Sequence, residues 1–272
     1  MLGKLMKHEW LSTWKIPILL IGVLLVSSLL CGGAFALPMW ESDWIGLPFS
    51  ILSLFLVYYM SIIVCSVGIT VYMAVRFYKS MFTDEGYLTH TLPVTSHQLL
   101  LSKVITMSIW SLIGVIGVVV SVFILVGCIY VFWADNFSSL GYEFRSLMHE
   151  LAQMEELKGV FGLMLTMIFM VIASAFSSTM TVVGSISIGQ MLRKHRILGA
   201  IGAYFGITTI VQIISTIVMF PVMFGVAMAG DPSDVFSVYN TIYLVISLIS
   251  IAIGVGLYFL SEYLIRRQLD LE

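Results

Sequence analysis

Six long apolar stretches run through the chain, near residues 16–37, 47–75, 104–131, 160–188, 197–226 and 238–260, and none contains an Asp, Glu, Lys or Arg. Crossing about 30 Å of hydrocarbon at about 1.5 Å per residue takes roughly 20 apolar residues, which each stretch supplies. No period-two alternation is present, and backbone groups in lipid must be satisfied internally, so the stretches are predicted to be helices and not barrel strands. The predicted fold is an all-α polytopic membrane protein of six spans. Spans and connections use almost all of the sequence, so residues 1–272 read as a single transmembrane domain.

Composition agrees with this. Hydrophobic residues make up 60% and charged residues 10%, against about 45–50% and about 25% in soluble domains. Orientation follows from the basic residues. With the N-terminus inside, the inner segments hold Lys4, Lys7, Lys15, Arg76, Lys79, Lys103, Arg193, Lys194, Arg196, Arg266 and Arg267, and the outer loops only Arg145 and Lys158. This positive-inside bias predicts a multi-pass protein of the cell membrane with both termini cytoplasmic. Ala34-Phe35-Ala36 resembles a signal-peptidase site, but the apolar run before it exceeds the roughly 7–15 residues of a signal peptide. Cys31, Cys65 and Cys128 lack metal-type spacing and read as small apolar helix residues. A net charge of −2 argues against nucleic-acid binding.

Before the first span, Leu2, Leu5, Met6, Trp10 and Trp14 recur at helical spacing, with Lys4, Lys7, His8 and Lys15 on other faces. This predicts an interfacial helix over residues 1–15, tryptophan at headgroup level and lysines toward anionic lipid. It fits a transporter elbow and a plain anchor equally well. Pro17 suits the break before the span.

The loop over residues 76–103 is not built like a flexible linker. Phe77, Tyr78, Phe82 and Tyr87 surround the acidic pair Asp84-Glu85, Gly86 can end a short helix, and Leu92-Pro93 forces an extended segment. Thr95-Ser96-His97-Gln98 matches a capping box that starts the next helix. The pattern predicts a short helix across the membrane face whose exposed aromatics and carboxylates form a docking surface. Aromatics resting in the lipid interface are the blander reading.

The segment FTDEGYLTHTLPVTSHQLLLSK closely resembles the loop between the second and third helices of bacterial type-2 ATP-binding-cassette permeases. The resemblance extends to the MLGKLMKHEW start and the six-span layout, but its sharpest motif is confined to the loop. It implies a type-2 exporter-like fold in which Met81, Phe82, Thr83, Asp84, Glu85, Gly86 and Tyr87 form a coupling helix that fits a separate ATPase subunit. ATP and Mg would be held by that cytoplasmic ATPase, with no cofactor on this chain. A second permease subunit, identical or related, completes the implied assembly. Arg193, Lys194 and Arg196 are a candidate second ATPase contact, with lipid phosphate an equally good partner.

Two spans carry polar stripes. Ser174, Ser178, Thr181 and Ser185 share one helix face, as do Thr208, Gln212 and Ser215. They either line a substrate path at a dimer axis or serve ordinary helix packing, which small hydroxyl residues favour. Gly202 and Gly206 form a GxxxG, extended by Gly199. Pro221 is expected to kink the fifth span or to mark re-entrant helices. In the long outer loop, Met148, Leu151, Ala152, Glu155 and Glu156 suit an exit-closing helix, a peptide receptor or a plain hairpin. No HExxH and no phosphate-loop motif occurs, so the chain reads as a permease subunit without enzymatic or metal site of its own. Charge-free spans disfavour an ion-driven carrier. The expected function is export of hydrophobic or amphipathic substrates such as antimicrobial peptides, drugs or lipids. The alternative is a sensor or immunity module that binds a peptide or lipid without moving it.

Overall fold

The computed structural model describes residues 2–35, 46–83, 96–133, 142, 145–146, 157–191, 195–228 and 235–268. Among these, seven helices and no strands occur: α1 (Leu2–Thr13), α2 (Lys15–Phe35), α3 (Gly46–Phe82), α4 (Ser96–Trp133), α5 (Leu157–Gly189), α6 (Arg196–Met228) and α7 (Val235–Gln268). All but α1 are long and apolar enough to cross a membrane, over Lys15–Ala34, Leu52–Phe82, His97–Tyr130, Phe161–Gly189, Arg196–Pro221 and Ser237–Arg266. The chain is a helical, multi-pass membrane protein.

Three helices run well past their apolar stretches. In α3 the inward face continues through Met73, Phe77 and Met81, all buried, so the helix holds to Phe82. In α4 it begins early, with Leu99, Leu100, Ser102, Lys103 and Thr106 buried ahead of Trp110. Helix α7 extends to Gln268. The chain bends at Trp14, and Pro17 lies in the first turn of α2, where its missing N–H interrupts no intrahelical bond. Pro221 does not end α6, which stays helical to Met228.

The chain divides into two compact units. One comprises 12–72 and 113–155. Its helices are joined by hydroxyl pairs: Ser27 Oγ to Ser61 Oγ at 2.6 Å and the Tyr58 hydroxyl to Ser121 Oγ at 3.1 Å. The other comprises 1–11, 73–112 and 156–272. Within it α5 packs chiefly on α7 and next on α6. Gly254 lets α7 approach closely, since a Cβ there would sit 2.7 Å from the Phe176 ring. Gly189 closes the α5–α6 turn, where a Cβ would fall onto the Ala200 backbone.

Candidate functional site: the root of the 76–103 loop

Helix α1 is joined to the two helices that flank the loop. Its Glu9 and Trp10 point inward. Lys103 of α4, with its side chain only 4% exposed, donates from Nζ to Glu9 Oε1 at 2.6 Å and to Ser80 Oγ of α3 at 2.9 Å. Arg76 Nε lies 4.0 Å from Glu9 Oε2. Trp10 stacks on Trp110 of α4, with ring centroids 4.5 Å apart. One carboxylate thus faces two cations, and three helices meet on it. A buried ammonium is tolerated only when paired and hydrogen-bonded, and Lys103 has both.

A second contact fixes the start of α4. His97 Nδ1 lies 2.7 Å from the Tyr258 hydroxyl and 3.5 Å from Glu262 Oε2, both on α7. Tyr258 donates to Nδ1 when Nε2 carries the imidazole proton. The Tyr258 ring meets His97 edge-on at 5.7 Å. Beside this contact Phe259, Glu262, Tyr263 and Arg266 border an open recess of about 610 Å³.

The predicted coupling residues divide at the end of α3. Met81 is fully buried and Phe82 half-buried, both in the last turn of that helix and not in a separate transverse one. Phe82 meets Phe77 edge-on at 6.1 Å and Tyr78 at 6.3 Å. Phe77 is 2% exposed, so it supports α3 from within and is not an exposed docking aromatic. Thr83 donates to the Lys79 carbonyl at 2.5 Å. Asp84, Glu85, Gly86 and Tyr87 lie outside the described residues, as do Leu92, Pro93 and Thr95. Helix α4 begins at Ser96, where the capping signal places it.

The polar stripes behave differently from each other. On α5, Ser174 and Ser178 are exposed, Thr181 is half-buried and Ser185 is buried. Each donates to a carbonyl of its own helix: Val171, Ala175, Ser177 and Val182 respectively. On α6, Thr208 donates to Tyr204 and Ser215 is half-buried. Gln212 is exposed; its backbone carbonyl accepts from Thr216 at 2.8 Å, while its side-chain amide makes no hydrogen bond among the described residues. No hydrogen bond joins the two stripes among those residues. No residue in the apolar window of α6 is fully buried, and a Cβ at Gly202 or Gly206 would meet open space. Arg193 and Lys194, and the outer-loop residues Met148, Leu151, Ala152, Glu155 and Glu156, lie outside the described residues. No three His, Cys, Asp or Glu side chains gather as a metal site among the described residues.

The sequence reading missed the Glu9–Lys103–Ser80 contact and the His97–Tyr258 pair. A signal for the first exists: Glu9 is the one acid on α1, and Lys103 is the last charge before a charge-free stretch. Comparison with protein-family models, with curated proteins and with solved structures finds no match.

Proposed function

We propose that the chain is the membrane-spanning subunit of a type-2 ATP-binding-cassette exporter, moving hydrophobic or amphipathic substrates such as antimicrobial peptides, drugs or lipids out of a bacterial cell. The observation that carries the reading is the loop FTDEGYLTHTLPVTSHQLLLSK, whose two flanking helices are braced on α1 by Glu9, Ser80 and Lys103. A loop rooted in this way can pass force from a docked ATPase into α3 and α4 without dissipating it in local bending. ATP binding draws two ATPases together, the segment from Met81 to Tyr87 follows, and the cavity between two permease subunits opens outward. The positive-inside bias supports placing the loop and both termini in the cytoplasm.

A second subunit is favoured by α6. Gln212 sits in a charge-free span with no partner for its amide among the described residues, and an unpaired amide in hydrocarbon costs several kcal/mol. A facing copy or a related permease, packed on Gly202 and Gly206, supplies a partner.

The test is extrusion of a membrane-active antimicrobial from cells that carry the chain with its candidate ATPase. Phe82→Ala and Asp84→Lys should abolish ATP-dependent extrusion while membrane insertion stays intact. Wild-type extrusion by both variants, with no co-purifying ATPase, would remove the coupling assignment. Extrusion that survives ATP depletion and collapses with the proton gradient would point to an ion-driven carrier. Peptide binding without extrusion would point to the sensor or immunity reading.

A further inference from the structure

Helix α1 has two unlike faces, and among the described residues only one is covered. Leu5, Met6, Glu9 and Trp10 turn inward and are partly covered. Lys4, Lys7, His8 and Leu11 fall within an arc of about 100° on the opposite side, and all four are exposed. Glu9 is the one acid on α1, and it is committed to Lys103 at 2.6 Å. The outer arc is therefore basic with no acid of its own helix beside it. Leu11 adds an apolar side chain, 59% exposed, to the same arc. Trp10, expected at headgroup level, instead stacks on Trp110, so the face that meets the surroundings is the one opposite to it.

We propose that this outer arc binds the headgroups of anionic phospholipids, with Lys4 and Lys7 on phosphate oxygens and Leu11 against the first methylenes of the acyl chains. The charge complementarity is direct: ammonium groups with no carboxylate of their own helix beside them favour a surface of phosphodiesters. Leu11 selects a lipid over an acidic protein, because an exposed leucine between two lysines suits the boundary of headgroup and hydrocarbon. The location agrees, since a membrane-spanning helix begins at Lys15 directly after α1. This inference does not rest on the exporter reading.

The test uses the purified full-length protein in neutral detergent, titrated with short-chain phosphatidylglycerol and separately with short-chain phosphatidylcholine. Bound lipid is counted by native mass spectrometry. Phosphatidylglycerol should bind more tightly, and Lys4→Gln and Lys7→Gln should each weaken it about fivefold, which corresponds to about 1 kcal/mol per lysine at an anionic surface. The double Lys4→Arg/Lys7→Arg variant should keep the preference, and Lys158→Gln in the first turn of α5 should not alter it. Equal binding of the two lipids, or a preference that survives Lys4→Gln/Lys7→Gln, would overturn the proposal. So would displacement of phosphatidylglycerol by inorganic phosphate at matching concentration, which would make the ligand a free anion. Protection of Lys4 and Lys7 from amine-reactive labelling by an added ATPase, but not by phosphatidylglycerol, would assign the face to a protein.

Discussion

Lys103 is held at 4% exposure by one carboxylate and one hydroxyl, which sets what its neighbours are worth. Stripping one partner from a buried ion pair costs about 3–5 kcal/mol, because the other charge is left uncompensated. Glu9 keeps 22% exposure, so water softens the loss. We expect Glu9→Ala to lower the unfolding free energy by about 3 kcal/mol, the low end of that range, in mixed-micelle denaturation. The double variant Glu9→Leu/Lys103→Met should regain most of it, since an apolar pair of similar volume removes both desolvation penalties. A double variant as unstable as Glu9→Ala would mean the site needs polarity and not merely balance. Both residues were legible as charges beside apolar runs. Their pairing was not, because 94 residues separate them and no local periodicity reports a contact at that distance.

At the scale of elements, the six charge-free stretches locate six helices, since apolar length alone decides a span. The ends are another matter. Hydropathy stops α3 near Val75, but the buried series Met73, Phe77, Met81 carries the helix on to Phe82. Burial against protein, and not lipid, sets that boundary, and a sequence window sees only apolarity. Glycines separate the two kinds of packing in the same way. Gly189→Val would push onto the Ala200 backbone and should cost about 1–3 kcal/mol, read as a lower thermal midpoint of the purified protein. Gly202→Leu and Gly206→Leu meet open space within the chain and should leave that midpoint unchanged. With Gln212→Leu they should weaken self-association, measured by energy transfer between labelled copies in vesicles. Unaltered transfer would return α6 to a lipid-facing role.

At the scale of the whole molecule, each unit has its own kind of cohesion. In the unit of residues 12–72 and 113–155, hydroxyls join neighbouring helices: Ser27 with Ser61 and Tyr58 with Ser121. Interhelical hydrogen bonds in membranes average about 0.6 kcal/mol, so a Tyr58→Phe/Ser121→Ala cycle should give a coupling near that size. The other unit is held by close α5–α7 packing and by the ion pair at the loop root. The six-span architecture was legible because the bilayer imposes it. The polar stripe on α5 was legible as a face, whereas the turn of Ser185 inward and Ser174 outward depends on how α7 lies against it. The Glu9–Lys103 pair also has a consequence for how the protein is made. Ribosomes add about 5–20 residues per second, so Glu9 emerges several seconds before its partner exists. Throughout that interval α2 and α3 are synthesised while the carboxylate of α1 still lacks its buried ammonium, although Arg76 of α3 is made before it. Chains stalled before Lys103 should therefore leave α1 open to protease, and chains stalled well beyond Trp110 should not.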